Sequence, residues 1–338
     1  KLGETVPETM NEPYFYVTNG AAFTCHNFFA FQNSAGTDAV KFRPHIRVTD
    51  STLTMNSVFE ANRSTQKTVC PDYMFRNAHV SAVNVNISGN ADLTFDGSDF
   101  GSVNKGAPTA FVVYQGGNFN GITNRFVFAN GSTFRCNKLS GGEKQRDCER
   151  SILFDDSAWW PGDGDFTFAA DSADSPITFD VRTRGKGLVL SPTEGVTYTW
   201  DLDLSGEGGL QKRGAGTLVL DAARMLYAGA TVVEEGVLDL DGTAATNKVF
   251  GGTGTLADAA LVQPTFCVTV SDDLSDSTYL TLAADVTLEG RVTVDLDRTG
   301  PGLNFDKTKP FRVLAYTGTA PNVSRWKLVG TGIESGVR

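Results

Sequence analysis

The sequence predicts an all-β fold built as a parallel β-solenoid, with a β-sandwich of antiparallel hairpins as the alternative. Short segments of alternating apolar residues recur along the chain, most clearly at 217–220 and 237–240. Glycines precede these segments at similar offsets, where the backbone of a coil must turn sharply or approach its neighbour closely. The steps from Leu202 to Leu218 to Leu238 are each close to the length of one circuit.

The segment 205–240 also carries a family resemblance. Its pattern G-x-G-G-L-x-K-x-G-x-G-T-L-x-L, followed by Y-x-G-x-T-x-V-x-x-G-x-L-x-L, resembles the autotransporter-associated β-strand repeat of bacterial secreted and surface proteins. It departs from that pattern at Met225, Leu226 and Ala230. The resemblance implies a right-handed parallel β-helix in an exported bacterial protein, and it carries neither a ligand nor a catalytic residue. The matching positions are Gly206, Gly208, Gly209, Leu210, Lys212, Gly214, Gly216, Thr217, Leu218, Leu220, Tyr227, Gly229, Thr231, Val233, Gly236, Leu238 and Leu240.

Three regions of the chain differ in composition and in the spacing of their apolar residues. Residues 1–150 hold irregular strands rich in Phe and Asn and are predicted to form irregular coils. Residues 151–260 are punctuated by glycine and contain the repeat. Residues 261–338 have longer alternating runs, of which 280–297 predicts a half-buried sheet or a change in coil size, and 327–330 a last strand. Because the sequence has no initiating methionine or signal peptide, we expect a processed or excised piece whose C-terminal coils continued in the parent protein.

The composition limits the classes of partner. A net charge of −10 argues against nucleic-acid binding, because phosphates would be repelled. Neutral glycans, cations and other surface proteins are the expected partners. No apolar run approaches the roughly 20 residues that a membrane-spanning helix needs.

The five cysteines are too few to form a disulfide framework, and their odd number leaves at least one without an intrachain partner. Cys136 and Cys148 flank a polar loop and are predicted to form a disulfide in an oxidising compartment. Cys267 occupies an apolar strand position and is predicted to be a buried thiol. No CxxC or paired-His spacing predicts a metal site.

One motif match is rejected on its context. Residues 139–146, LSGGEKQR, nearly reproduce the signature motif of ATP-binding-cassette proteins. That motif acts on a nucleotide held by a G-x-x-x-x-G-K-[ST] loop, which this sequence lacks. We therefore interpret the segment as an exposed loop.

The best candidate for a binding surface is the segment 151–166, SILFDDSAWWPGDGDF. Trp159 and Trp160 point to opposite faces of an extended strand, and an exposed tryptophan can stack on a sugar ring. Asp155, Asp163 and Asp165 offer oxygen ligands for Ca²⁺ or acceptors for sugar hydroxyls. In the alternative interpretation, a tryptophan packs in the solenoid core and the aspartates form turns.

Three functions remain open on the sequence alone. The first is an extracellular or cell-surface β-helical module that is structural or adhesin-like and contacts glycans. The second is a polysaccharide lyase or glycoside hydrolase on the same scaffold. A hydrolase would need two carboxylates across the bond, such as Asp155 and Asp165. A lyase would need a base beside a cation, which Arg43, His45 and Arg47 offer on one strand face, although solvated faces of this kind are ordinary. The third is a filament subunit, because the ends of a solenoid expose unpaired strand edges.

Overall fold

The computed structural model describes residues 14–29, 44–62, 70–87, 89–102, 108–113, 122–141, 149–170, 177–270, 277–298, 312–318 and 322–330. These residues form β-strands joined by turns, with short 3₁₀ turns at Ala222–Arg224 and Val323–Arg325. The chain divides into two compact units. Unit 1 comprises 1–162 and 168–184, and unit 2 comprises 163–167 and 185–338.

The strands of unit 1 are β1 Tyr14–Val17, β2 Ala22–Cys25, β3 Phe28–Phe29, β4 His45–Thr49, β5 Thr52–Asn62, β6 Asp72–Arg76, β7 His79–Ile87, β8 Ala91–Asp96, β9 Asp99–Gly101, β10 Thr109–Val113, β11 Thr123–Ala129, β12 Thr133–Gly141 and β13 Glu149–Trp160. Two strands, β14 Phe166–Ala169 and β15 Asp180–Leu190, are divided between the two units.

The strands of unit 2 are β16 Thr197–Asp201, β17 Leu204–Gly206, β18 Leu210–Lys212, β19 Thr217–Leu220, β20 Met225–Tyr227, β21 Thr231–Val233, β22 Val237–Thr246, β23 Val249–Gly252, β24 Thr255–Val262, β25 Thr265–Val270, β26 Leu280–Leu282, β27 Thr287–Glu289, β28 Val292–Arg298, β29 Leu314–Tyr316 and β30 Trp326–Gly330.

Unit 1 is a parallel β-helix with three ladders. The first ladder runs β1, β4, β6, β8, β11, β13, each strand parallel to the next. The second runs β2, β5, β7, β9, β12, β13. The third joins β3, the second half of β5, β7, β10 and the end of β12. These pairings confirm the predicted solenoid and exclude the antiparallel sandwich.

The interior of unit 1 contains a column of stacked phenylalanines. Phe75, Phe95, Phe128 and Phe154 occupy equivalent positions of successive coils and are fully buried. Their ring centroids are 4.7, 4.6 and 5.6 Å apart, with interplanar angles of 18°, 2° and 17°. Because in-register parallel strands place like residues above one another, the repeated Phe produces the stack.

Two residues after each of these aromatics, the chain turns a corner in the left-handed region of φ. Asn77, Gly97, Asn130 and Asp156 occupy this position with φ of 45°, 57°, 54° and 51°. Asn, Asp and Gly tolerate this conformation best. The amide of Asn130 donates to Asp96 Oδ1 at 2.6 Å, and this bond, followed by those from the Arg76 guanidinium, lowers the pKa of the Asp96 carboxyl.

Unit 2 repeats the arrangement with shorter coils. Its described strands form the parallel ladders β15, β18, β21, β23, β25, β28, β30 and β16, β19, β22, β24, β26, β29, together with a third face that includes β17 and β20. Leu218 pairs with Leu238, as the repeat spacing predicts. The prediction that Leu202 begins this column is wrong. Tyr198 is the partner of Leu218, and Leu202 lies beyond the end of β16.

The repeat glycines of unit 2 mark places where adjacent coils approach closely. A Cβ atom on Gly209 of the repeat would lie 2.1 Å from the carbonyl oxygen of Ala230, and one on Gly187, in the coil before the repeat, would lie 1.8 Å from that of Gly209. Only glycine fits such contacts, so the repeat pattern is a packing requirement. Buried Lys212 stabilises a nearby turn, because its Nζ donates to the carbonyls of Gly214 and Glu235 at 2.6 and 2.8 Å.

In the C-terminal part, the run 280–297 forms three strands, β26 to β28, and Gly290 adopts φ 74° between β27 and β28. Buried and half-buried residues alternate in β26 and over 292–296 of β28. The predicted last strand is present as β30. Cys267 is half-buried on the outer side of β25, since Phe266 and Val268 take the interior positions, so its predicted burial is wrong. Within the described ranges, no helix has the length and apolar character to span a membrane.

Candidate functional site

The predicted Trp159 and Trp160 surface is only partly present. Trp159 is 1% exposed, its ring lies 5.6 Å from Phe154, and its Nε1 donates to the Cys136 carbonyl at 2.7 Å. Its predicted role in stacking on a sugar is therefore wrong, because alternation in β13 directs it into the core. Trp160 takes the opposite face, is half-buried, and lies 5.1 Å below the Arg135 guanidinium. A cation–π contact thus occupies one face of the outward-facing ring.

The predicted aspartates make local structural contacts. In unit 1, Asp155 Oδ2 accepts a bond from Arg184 Nε at 2.9 Å. In unit 2, the exposed Asp165 accepts the Thr197 N–H at 2.7 Å. Asp163 is also exposed, and its charge adds to burial in raising the pKa of Tyr198 to about 12. In the part of the chain that the structure describes, no three His, Cys, Asp or Glu side chains converge as metal ligands.

The polar segment between Cys136 and Cys148 is only partly described. Cys136 is buried, with its Sγ 3.0 Å from the Lys138 carbonyl oxygen. Cys148 lies outside the described residues, so the disulfide stays a prediction. Residues 139–141 of the rejected nucleotide motif end strand β12, and Leu139 is fully buried. This start of the motif is a strand rather than the expected exposed loop.

A different site emerges on the outer face of the first coils, where β1, β4 and β6 lie side by side. Register places Tyr16 beside Arg47, and Arg47 beside Met74. Tyr14 and Tyr16 are 54% and 60% exposed, and their rings stack at 5.7 Å with an interplanar angle of 6°. Two large aromatic rings thus face solvent on a strand whose other residues, Phe15 and Val17, turn inward.

Arg47 is held in this site by a dense set of bonds. Its Nη1 donates to the Asp72 carbonyl at 2.8 Å and to that of Ile46 at 3.1 Å. Its Nη2 donates to Asp72 Oδ2 at 2.7 Å and lies 3.0 Å from His45 Nδ1, which is itself 3.1 Å from that carboxylate. The guanidinium is therefore fixed before any ligand arrives.

His45 and Arg47 share a strand face, as the lyase hypothesis requires, whereas Arg43 lies outside the described residues. The His45 side chain is only 12% exposed, because the Tyr14 ring stacks on it at 4.8 Å. A general base must reach the proton it removes. The covered imidazole is better suited to orienting Arg47 and Asp72 than to catalysis.

Tyr16 and Arg47 border an open groove of about 550 Å³, within the range typical of ligand sites. Its lining residues are Tyr16, Thr18, Asn19, Arg47, Thr49, Asp50, Met74 and Arg76. Below, this set is called the Tyr16 groove. The sequence analysis predicted irregular strands in residues 1–150 but not the groove. The available signal was the alternation in Tyr14–Val17, which places two tyrosines on one face.

Part of the chain is similar to known proteins. The chain is 45% identical over 94 residues, 25% of this chain and 9% of the relative, to an extracellular serine protease of Serratia marcescens. A second protein with the same description and organism is 42% identical over 59 residues, 18% of this chain and 6% of that relative. The chain therefore spans less than a tenth of the length of these relatives. No family model and no solved structure matches the chain.

Proposed function

We propose that this chain is a β-helical module of an extracellular or surface-displayed bacterial protein, in which a rigid scaffold presents an adhesin-like face to glycans. The observation that carries this proposal is the pair of exposed, stacked tyrosines on β1, one of which, Tyr16, lines the Tyr16 groove together with the fixed Arg47 guanidinium. Solvent-facing aromatic rings on an ordered strand are typical of recognition surfaces.

The location outside the cell is supported by two observations. The repeat resemblance at 205–240 implies an exported bacterial protein, and the two relatives are described as extracellular. The proteolytic activity in their description is not carried over, because the matched stretches cover 9% and 6% of those proteins. Antibodies raised against the chain should label intact, unpermeabilised cells of the source organism. Labelling only after permeabilisation would contradict the proposed location.

The recognition role is tested with the purified chain on an array of neutral and uronic-acid oligosaccharides, with and without calcium. Absorbance of unsaturated uronate products is followed in parallel on acidic polysaccharides. Binding without product formation supports the recognition module. Product formation would favour the lyase instead, and absence of binding in every arm would overturn the recognition role.

A further inference from the structure

The Tyr16 groove combines an apolar floor with hydrogen-bonding walls. Tyr16 and Met74 flank Arg47 in register and supply ring and thioether surface. At one wall, Arg76 is 56% exposed and donates through Nε to Asp96 Oδ2 at 3.0 Å. Among the described residues, its two terminal nitrogens contact no acceptor, so they remain available to a ligand.

An acceptor lies at the corner next to that donor. The exposed Asp50 has φ 48°, and its Oδ1 accepts the Asn77 amide at 3.1 Å. Within the described ranges, its Oδ2 accepts no side-chain bond. The groove thus offers free donors and a free acceptor near one aromatic face. A sugar hydroxyl both donates and accepts, so this mixture suits a polyhydroxylated ring better than a simple anion.

The charges of the groove select between kinds of glycan. Arg47 is paired with Asp72, and Arg76 with Asp96, so each guanidinium is neutralised by a carboxylate within 3.0 Å. Asp50 adds a further negative charge to the lining. With a chain net charge of −10, a uronate or sulfated sugar would meet an unfavourable field. A neutral sugar carries no such penalty.

We propose that the Tyr16 groove binds a neutral glycan, with one pyranose ring stacked on Tyr16 and its hydroxyls bonded to Arg76 and Asp50. This assignment rests on the proposed recognition function and gives it a site and a ligand class. The fixed Arg47 needs no reordering on binding, which lowers the entropic cost of association.

The experiment measures binding of the whole chain to neutral oligosaccharides selected on the array, by calorimetry, for groove variants and matched controls. Tyr16→Ala and Arg76→Met remove the stacking ring and the free donors. Tyr316→Ala removes another exposed tyrosine, in unit 2, and Arg125→Met removes an exposed arginine of β11. We expect at least about tenfold weaker binding for each groove variant and less than about twofold change for the controls. Circular dichroism of each variant verifies the fold.

The outcomes separate the site from the function. Binding that survives both groove substitutions would overturn the groove assignment and leave the recognition function in place. Binding of uronic-acid oligosaccharides alone would overturn the neutral ligand class. Binding of neutral sugars should change little with added salt, because no net ligand charge is screened. A chain that binds no glycan would overturn both proposals.

Discussion

The phenylalanine column of unit 1 predicts a stability difference between equally buried phenylalanines. The ring centroid of Phe95 lies 4.7 and 4.6 Å from those of two stacked rings and 5.5 Å from that of Phe100, which is in an edge-on arrangement. Phe250 in unit 2 is just as buried, but among the described residues its one ring neighbour is Phe266 at 6.5 Å. Replacing a buried phenylalanine by alanine costs about 3–5 kcal/mol. Each close aromatic pair adds about 0.5–1.5 kcal/mol beyond burial.

We therefore expect Phe95→Ala to lower the free energy of unfolding by about 1–3 kcal/mol more than Phe250→Ala, because Phe95 loses two stacked pairs. Native-state hydrogen exchange of the amides in β8, β11 and β23 measures the opening free energy of the coils around each substitution. A local measurement is needed because each coil of a solenoid contacts only its neighbours. Phe95→Leu, which keeps most of the apolar volume, isolates the loss of stacking. Equal costs for the two alanine variants, within about 0.5 kcal/mol, would show that stacking adds nothing to burial.

Three further predictions concern close contacts and titrating groups. Gly187→Ala should destabilise unit 2 by at least about 4 kcal/mol in guanidinium unfolding, because its Cβ would overlap a neighbouring carbonyl. A Cβ atom on Gly164 would have no atom within 4 Å, so Gly164→Ala should change the free energy of unfolding by less than about 0.5 kcal/mol. A similar loss of stability in the two variants would refute the contact argument. Burial lowers the pKa of Lys212 from 10.5 to about 8 in the folded state. Between these two pH values the unfolded state binds more protons than the folded state, so the free energy of unfolding should rise with pH over this range. Urea unfolding at several pH values should show a rise of roughly 1–3 kcal/mol in the original chain that is absent from Lys212→Met. Parallel pH profiles of unfolding free energy for the two proteins would contradict this prediction. Asn130→Ala should raise the pKa of the Asp96 carboxyl, and an unchanged NMR titration would rule out that amide as the main cause.

The sequence predicted those parts of the fold in which residue spacing is regular. Leu218 and Leu238 were matched because both follow glycines of the same repeat. In the coil before them, Tyr198 follows Gly195 by three residues instead of two, so its register was missed. In unit 1, Phe-x-Asn at 75–77 and Phe-x-Gly at 95–97 mark equivalent corners. Unequal coil lengths hid this pattern from a search for a fixed period.

The candidate site was harder to predict, because one corner changes the alternation. In β13, Phe154 and Trp159 both face inward although an odd number of positions separates them. Asp156, with φ 51°, lies at the corner between them and resets which residues point to the core. Without that dihedral angle, the sequence cannot tell which of two adjacent tryptophans is buried. The Tyr16 groove further depends on residues of three coils, which only the register brings together.

The corners of unit 1 stack directly although the coils differ in length. Bonded partners at this corner are 27 residues apart for Asn77 and Asp50, but 34 residues apart for Asn130 and Asp96. The extra residues of the longer coil are accommodated elsewhere on the circuit, so the corner itself does not move. Foreign peptides could accordingly be grafted into the long coils while the columns of Phe and Asn keep their register. The same tolerance gives evolution a route to new surface loops on an unchanged scaffold.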